Sequence, residues 1–323
     1  MLRFRLDGTR HKGKAMTERQ DIEAAWNRIE PYVRVTPVIR LNRSALDLDA
    51  DIHLKLELMQ VTGSFKPRGA FNRILSNDVP RAGVIAASGG NHGLATAYAA
   101  RQLGYGAEIF VPTIASPVKQ QRLKDYGADV KVIGANYNEA LEASMKRAEE
   151  TGALIVHAYN QPETIAGQGT CGRELDSQVP GLQTVLVAAG GGGFIAGIAA
   201  WFRGAVQVIA VEPEQSCCLW KAFEADQPVA TTVAGIAADS LGASRIGDLA
   251  WQVCRKYVNR VVLVSDDAIR HAQRRLWQEL RVFAEPGGAT ALSALLSGVY
   301  RPTPSERVAV VCCGSNADLD SIK

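Results

Sequence analysis

Hydrophobic positions along this chain follow two rhythms that take turns. Ile52-His53-Leu54-Lys55-Leu56-Glu57-Leu58 alternates apolar and polar residues, which predicts a strand with Ile52, Leu54, Leu56 and Leu58 on its buried face. Ahead of it, Ile22, Ala25, Trp26 and Ile29 recur at helical spacing behind a Thr17-Glu18-Arg19-Gln20 capping box, until Pro31 ends the run. Thr36-Pro37 breaks the pattern before Val38-Ile39-Arg40-Leu41, and Phe71, Ile74 and Leu75 predict a further helix. Strands over 83–88, 107–111, 129–133 and 154–159 then alternate with helices over 91–103, 117–126 and 138–150. The alternation resumes with strand 184–188, a helix after Gly193 and strand 206–211. Near the end, strand 260–264 leads into a helix capped by Ser265, with Ile269, Ala272, Leu276, Leu280 and Phe283 on one face. A shorter helix over 289–296 and a strand over 308–312 close the series. Strands separated by helices imply βαβ units and a parallel sheet, so the pattern predicts an open α/β fold.

Bulk properties narrow the function classes. The 323 residues leave room for two domains or one large doubly wound unit. With 47% hydrophobic and 21% charged residues the composition is that of an ordinary globular enzyme. A net charge of +3 gives no field suited to nucleic acid or anionic membranes, and no apolar run reaches the length of a membrane span. The six cysteines include the adjacent pairs Cys217-Cys218 and Cys312-Cys313 and no Cys-x-x-Cys spacing, which suits a reducing cytoplasm and neither a disulfide framework nor a zinc site. The first fifteen residues are rich in Arg and Lys and lack the apolar core of a secretion signal; Met16-Thr17 is a plausible alternative start, and little before it is expected to be ordered.

Three strand-to-helix junctions carry candidate chemistry. The first is Val61-Thr62-Gly63-Ser64-Phe65-Lys66-Pro67-Arg68-Gly69-Ala70. Pro67 suits the first turn of a helix, so Lys66 falls where a strand hands the chain to a helix N-terminus. Apolar walls and a positive helix end lower a lysine's pKa and leave a nucleophilic amine able to form a Schiff base. A solvated surface lysine is the plainer alternative. The second junction runs from Ala188-Ala189 into Gly190, Gly191, Gly192 and Gly193. Such a run lets backbone N–H groups wrap a phosphate with the helix dipole behind them. Gly191-x-Gly193-x-x-Ala196, with Glu212 ending the next strand, also satisfies a loose dinucleotide fingerprint, so a nicotinamide-dependent oxidoreductase stands as a rival from another reaction class. The third junction, Ser88-Gly89-Gly90-Asn91-His92-Gly93, forms a nest of N–H groups suited to an amino acid's α-carboxylate. Asn91 alone reads equally well as a helix cap, and His92 as a packed or capping histidine.

Ser64-Phe65-Lys66-Pro67-Arg68-Gly69-Ala70 resembles the cofactor-lysine motif of the fold-type II pyridoxal-phosphate (PLP) enzymes, in particular the threonine/serine dehydratase and serine racemase branch. Ser88–Gly93, Gly190–Gly193 and Cys312-Cys313-Gly314-Ser315-Asn316 match the same family in the expected order, and the resemblance runs from Ile22 to the C-terminus. It implies two open parallel-sheet domains of the tryptophan synthase β-like kind with PLP in the cleft between them. The large domain would be 17–78 plus 160–323 and the small one 79–159, with 1–16 as a disordered extension. It further implies that Lys66 carries the cofactor beside Phe65 and that the four glycines hold its phosphate. Asn91 would hydrogen-bond its phenolic oxygen, and the loop of Gly235 would pack on its edge. Glu285, in Glu285-Pro286-Gly287-Gly288-Ala289, would lie near the ring, although a carboxylate before a helix N-terminus reads the same way. Cys313 would face the pyridine nitrogen, a buried small hydrophobe being its plainer role. Ser88, Gly89, Gly90, Asn91 and His92 would receive the substrate carboxylate.

Departures from the family pattern shape the expected reaction. Where the racemase pattern has a serine two residues before the asparagine, this chain has Gly89, which has no proton to give to the second face of a carbanion. A neutral thiol at Cys313 cannot hold the ring as a pyridinium, so rapid loss of a β-leaving group is favoured over a long-lived carbanion. Some members bind a divalent cation through a glutamate and an aspartate; here Glu212 is present but Cys218 replaces the aspartate, and thiolate is a poor ligand for hard cations, so no metal is expected. The expectation is an ammonia-lyase that takes a small β-hydroxy amino acid, L-threonine or L-serine by default, to a 2-oxo acid and ammonia, with Lys66 as the base. Hydroxyaspartate and phenylserine stay open as substrates, and racemisation as the alternative reaction. A homodimer follows from the resemblance only, and feedback through a C-terminal regulatory domain is not expected.

Overall fold

The computed structural model describes residues 16–318 apart from 43, 44 and 49. The expectation for residues 1–15 lies outside the described residues, while Met16 is half-buried against the core.

Helix α1 (Arg19–Ile29) buries Ile22, Ala25, Trp26 and Ile29, the four positions the spacing marks. Its capping box is Glu18 with Asp21, one residue later than Thr17 with Gln20. Strands β1 (Val38–Arg40) and β2 (Asp51–Lys55) pair antiparallel, and short 3-10 turns at Glu57–Met59 and Val61–Gly63 carry the chain into α2 (Lys66–Leu75). The expected strand thus stops at Lys55. Its polar positions are not outward-facing either: β2 lies between two strands, and Lys55 and Glu57 are as buried as Leu54 and Leu56.

Next come β3 (Val84–Ala87), α3 (Asn91–Gln102), β4 (Ala107–Val111), α4 (Pro117–Asp125), β5 (Asp129–Val132), α5 (Tyr137–Thr151) and β6 (Leu154–Ile155). These four strands form one parallel sheet in the order β5-β4-β3-β6. Ser116 caps α4 and Asn136 caps α5 by accepting N–H bonds from Lys119 and Glu139. The strand expected over 154–159 ends after two residues, because His157 Nδ1 accepts the N–H groups of Tyr159 (3.2 Å) and Asn160 (3.1 Å) and curls the chain out of the sheet.

The remainder comprises α6 (Pro162–Gln178), β7 (Thr184–Ala188), α7 (Gly193–Phe202), β8 (Gln207–Pro213), α8 (Cys218–Ala225), α9 (Ala238–Leu241), α10 (Asp248–Tyr257), β9 (Arg260–Val264), α11 (Asp266–Leu280), α12 (Pro286–Leu296) and β10 (Arg307–Val311). Six strands form the second sheet, β1-β2-β10-β7-β8-β9, parallel except for β1. Ser265 caps α11 as expected, but Arg281 turns left-handed at φ +56°, so Phe283 falls in the loop beyond the helix. Helix α6 has no apolar stripe because nearly all of its first three turns are buried. It packs closely on α7, where a Cβ on Gly169 would come within 2.8 Å of the Gly197 carbonyl oxygen. The largest apolar core surrounds the six-stranded sheet, and a second lies between α2, α3 and the four-stranded sheet.

Candidate active site

Lys66 opens α2, directly after Phe65 and before Pro67. Its Nζ donates to the Ala158 carbonyl oxygen at 3.0 Å and lies 5.1 Å from the centroid of the Phe65 ring. The residue is only half-buried, yet its amine lies deep among protein atoms. Desolvation lowers its pKa to about 8, against the opposing pull of Cys313 and Glu285. A lysine so placed is an amine within reach of neutral pH, which excludes the solvated surface lysine.

The glycine turn lies on the same wall. Gly190–Gly192 link β7 to α7, which begins at Gly193, and Gly192 takes the left-handed conformation at φ +86°. A Cβ on Gly191 would run into the Tyr159 ring, and one on Gly193 would sit 2.7 Å from the Tyr159 carbonyl oxygen. Residues 158 and 159 therefore touch the lysine amine on one side and the glycine turn on the other. Phe65 stacks on Phe194, the residue after the turn, with ring centroids 3.9 Å apart. The buried Gln168 bridges the same region: its Nε2 donates to the Ala158 oxygen at 3.3 Å, and its Oε1 has no partner. A cradle that excludes side chains, ends on a helix N-terminus and lies near a low-pKa amine fits a group with an aldehyde at one end and a phosphate at the other. Lys66, the four glycines and Phe65 are thus brought together.

The third junction faces them. Ser88, Gly89 and Gly90 join β3 to α3, with Ser88 Oγ accepting the Gly90 N–H at 3.2 Å. Gly90 is the N-cap, and Asn91 is the first helical residue, so Asn91 is no cap. Its Nδ2 donates to Glu285 Oε1 at 2.7 Å, and its Oδ1 accepts from Asn316 Nδ2 at 2.7 Å. The buried His92 gives its Nε2 to the Val156 carbonyl at 2.8 Å, and burial, with Lys66 adding to it, lowers its pKa to about 3. It is a packed, neutral histidine.

Glu285 immediately precedes α12, with its carboxylate turned toward Asn91 rather than over the helix end. Burial raises its pKa to about 7, against the bonds from Asn91 and from the Asn316 N–H (3.0 Å). Cys313 follows β10; its thiol, kept neutral by burial, lies 3.3 Å from the Gly287 carbonyl oxygen. Gly235 has φ +83° and packs on Asp266, while α9 just after it reaches both loops: Leu241 lies against Gly190, and the Asp239 carbonyl against Gly90. Glu212, which the dinucleotide reading needs free for a ribose, is buried and accepts the N–H groups of Leu219 (2.9 Å) and Trp220 (2.7 Å) in α8. The Cys218 thiol donates to the Gly190 carbonyl oxygen at 3.2 Å. The nicotinamide reading is set aside.

Several residues here were not singled out by the sequence reading. Tyr159, Gln168 and Phe194 line the glycine turn, Asn316 bonds Asn91, and Arg122 bonds Asn316 in turn. Only Asn316 carried a signal, as the last residue of the Cys312–Asn316 motif.

Residues 29–314 match the family described as pyridoxal-phosphate dependent enzyme. The chain is 37% identical over 296 residues to a phenylserine dehydratase of Ralstonia pickettii, covering 90% of each chain. It is 36% identical over 310 residues to a catabolic L-threonine dehydratase of Staphylococcus aureus, covering 94% of this chain and 90% of the relative. Maize serine racemase superposes with a TM-score of 0.89 at 33% identity, covering 95% of each chain. The chain belongs to the pyridoxal-phosphate dependent enzymes, in the branch that holds the amino-acid dehydratases and racemases.

Proposed function

We propose that this protein is an ammonia-lyase that eliminates water from a small β-hydroxy amino acid, L-threonine or L-serine, and releases a 2-oxo acid and ammonia. The observation that carries the reading is Lys66: an amine whose pKa is lowered to about 8, lying against the segment that packs on the glycine turn. Bound PLP supplies an aldehyde for amine attachment and a conjugated ring that takes up charge from the amino acid's α-carbon. In this proposal the N–H groups of 190–193 would hold its phosphate, Asn91 Nδ2 would donate to its phenolic oxygen, and the neutral Cys313 thiol would face its ring nitrogen. Lys66 Nζ removes the α-proton, which an amine with a pKa near 8 can both accept and release. The backbone N–H groups of residues 88–92 at the start of α3 bind and orient the α-carboxylate.

The absence of a side chain at Gly89 supports elimination over racemisation, since no hydroxyl stands there to protonate the opposite face. The likeness to a phenylserine dehydratase supports a second reading in which the substrate carries an aromatic side chain. The proposal extends to a small domain over 79–159 that closes one side of the site, to a homodimer, and to the cytoplasm. All six cysteines are free and buried, which is compatible with a reducing compartment. Among the described residues no helix is long and apolar enough to cross a membrane. The test is 2-oxo acid release from L- and D-threonine, serine, phenylserine and hydroxyaspartate, with chiral analysis of the remaining substrate. Keto acid and ammonia from one L-isomer, without its D-isomer, are expected. Racemised substrate without keto acid would overturn the reading.

A further inference from the structure

We propose that Asn316, steered by Arg122, is a positioning residue that fixes which way the Asn91 side-chain amide faces. Four groups converge on Asn316. Arg122 Nη2 on α4 donates to its Oδ1 at 2.6 Å. Its Nδ2 donates to the Thr62 carbonyl oxygen at 2.7 Å and to Asn91 Oδ1 at 2.7 Å. Its backbone N–H donates to Glu285 Oε2 at 3.0 Å, and Glu285 Oε1 accepts from Asn91 Nδ2, closing a ring of three residues.

The polarity of this ring is forced from outside. A guanidinium can only donate and a backbone carbonyl can only accept. Arg122 and Thr62 therefore permit one orientation of the Asn316 amide, with oxygen toward α4 and nitrogen toward residue 62. That nitrogen still has one N–H, and the acceptor it meets must be Asn91 Oδ1. Asn91 Nδ2 is then turned to Glu285, where one of its two N–H groups is used and the other is free for a bound group. Glu285 alone could not impose this. With a pKa near 7 it exists as both carboxylate and carboxylic acid at neutral pH, and the acid form would serve either face of the Asn91 amide. Asn91 and Arg122 belong to the part of the chain that forms the four-stranded sheet, whereas Asn316 and Glu285 follow and precede elements of the six-stranded part. The ring therefore ties the seating of one part on the other to the direction of a single amide.

The inference rests on the proposed role of Asn91 Nδ2 as donor to the phenolic oxygen of PLP. In Asn316→Asp the side chain presents oxygen where Nδ2 stood, so the Asn91 amide must turn its own nitrogen to residue 316 and show oxygen toward Glu285 and the cofactor. The loss of one hydrogen bond to a charged oxygen should raise the pH midpoint of the visible cofactor band by about one pH unit. Arg122→Met leaves Thr62 in place and should raise the midpoint by less; its site is only half-buried, so this variant keeps the test usable if Asn316→Asp does not fold. The measurement is an absorbance titration of the cofactor-loaded proteins, with melting temperature recorded alongside. Variants that melt earlier but titrate like the wild type would reduce Asn316 to a structural role and overturn the inference alone. A wild-type protein without any visible band would overturn the proposed function and this inference with it.

Discussion

Replacing Arg68 by methionine removes the centre of a buried ionic cluster directly behind the lysine. Arg68 is fully buried two residues after Lys66, on the first turn of α2. Its Nε and Nη2 donate to the two oxygens of Glu57 at 2.7 and 2.8 Å, and its Nη1 donates to Glu174 Oε1 at 2.7 Å and Thr170 Oγ1 at 3.1 Å. Lys55 Nζ completes the cluster at 2.6 Å from Glu174 Oε2, so two cations balance two carboxylates. Arg68 holds the Glu57 carboxyl below its usual range despite the burial that acts against it. Methionine keeps much of the volume but leaves Glu57 without its bidentate partner and the cluster one positive charge short. Breaking a buried pair in this way costs about 3–5 kcal/mol, against a total stability of about 5–15 kcal/mol for a typical domain. The assay is urea unfolding of the cofactor-loaded protein, followed by circular dichroism. Adding Glu57→Gln restores the charge balance, so the double variant should lose about 1–3 kcal/mol less than the sum of the two single losses. A loss below about 1 kcal/mol for Arg68→Met, with unchanged cooperativity, would refute the reasoning that Arg68 is the partner that makes the buried carboxylates tolerable. Because the folded-state pKa of Glu57 is depressed, its contribution is complete above the ordinary glutamate value of about 4.3 and fades as pH falls through the lower folded value.

In cofactor-free protein, labelling of Lys66 by an amine reagent, read by peptide mass spectrometry, should rise with a midpoint near pH 8, whereas a midpoint above about 10 would contradict the buried amine. The same lowered pKa means that the cost of burying the ammonium is present below pH 8 and is relieved as pH rises from about 8 to 10.5, so cofactor-free stability should gain from this group across that window. Gly191→Ala drives a methyl group into the Tyr159 ring and should weaken PLP binding at least tenfold by fluorescence titration; wild-type affinity would show that the ring yields without disturbing the cradle. Gly89→Ser restores a hydroxyl at the second face and should raise racemisation relative to elimination, read as D-isomer formed per 2-oxo acid released. An unchanged ratio would count against the loop argument.

The strand-and-helix alternation was legible because most strands lie in parallel sheets and the helices between them bury one face. It failed where burial is not one-sided. Helix α6 shows no stripe because it is packed on several sides, with Gly167 against Arg68 and Gly169 against Gly197. Over 52–58 the alternation marks Ile52, Leu54 and Leu56 as core, and they are buried, but it also implies outward-facing Lys55 and Glu57, which are core residues satisfied by ionic partners. At the site, the glycine turn and the lysine were legible because each needs an unusual residue at a fixed place beside a helix start. The bonds among Asn91, Asn316 and Glu285 join positions up to 225 residues apart, and nothing in local spacing could announce them.

The central claim is one covalent attachment, and reductive trapping tests it most directly. Purified protein treated with borohydride, digested and mapped by mass spectrometry should carry a phosphopyridoxyl group on the peptide containing Lys66, with the visible band lost in proportion. A label on another lysine, or an unlabelled Lys66 peptide from protein whose visible band has been bleached, would contradict the account.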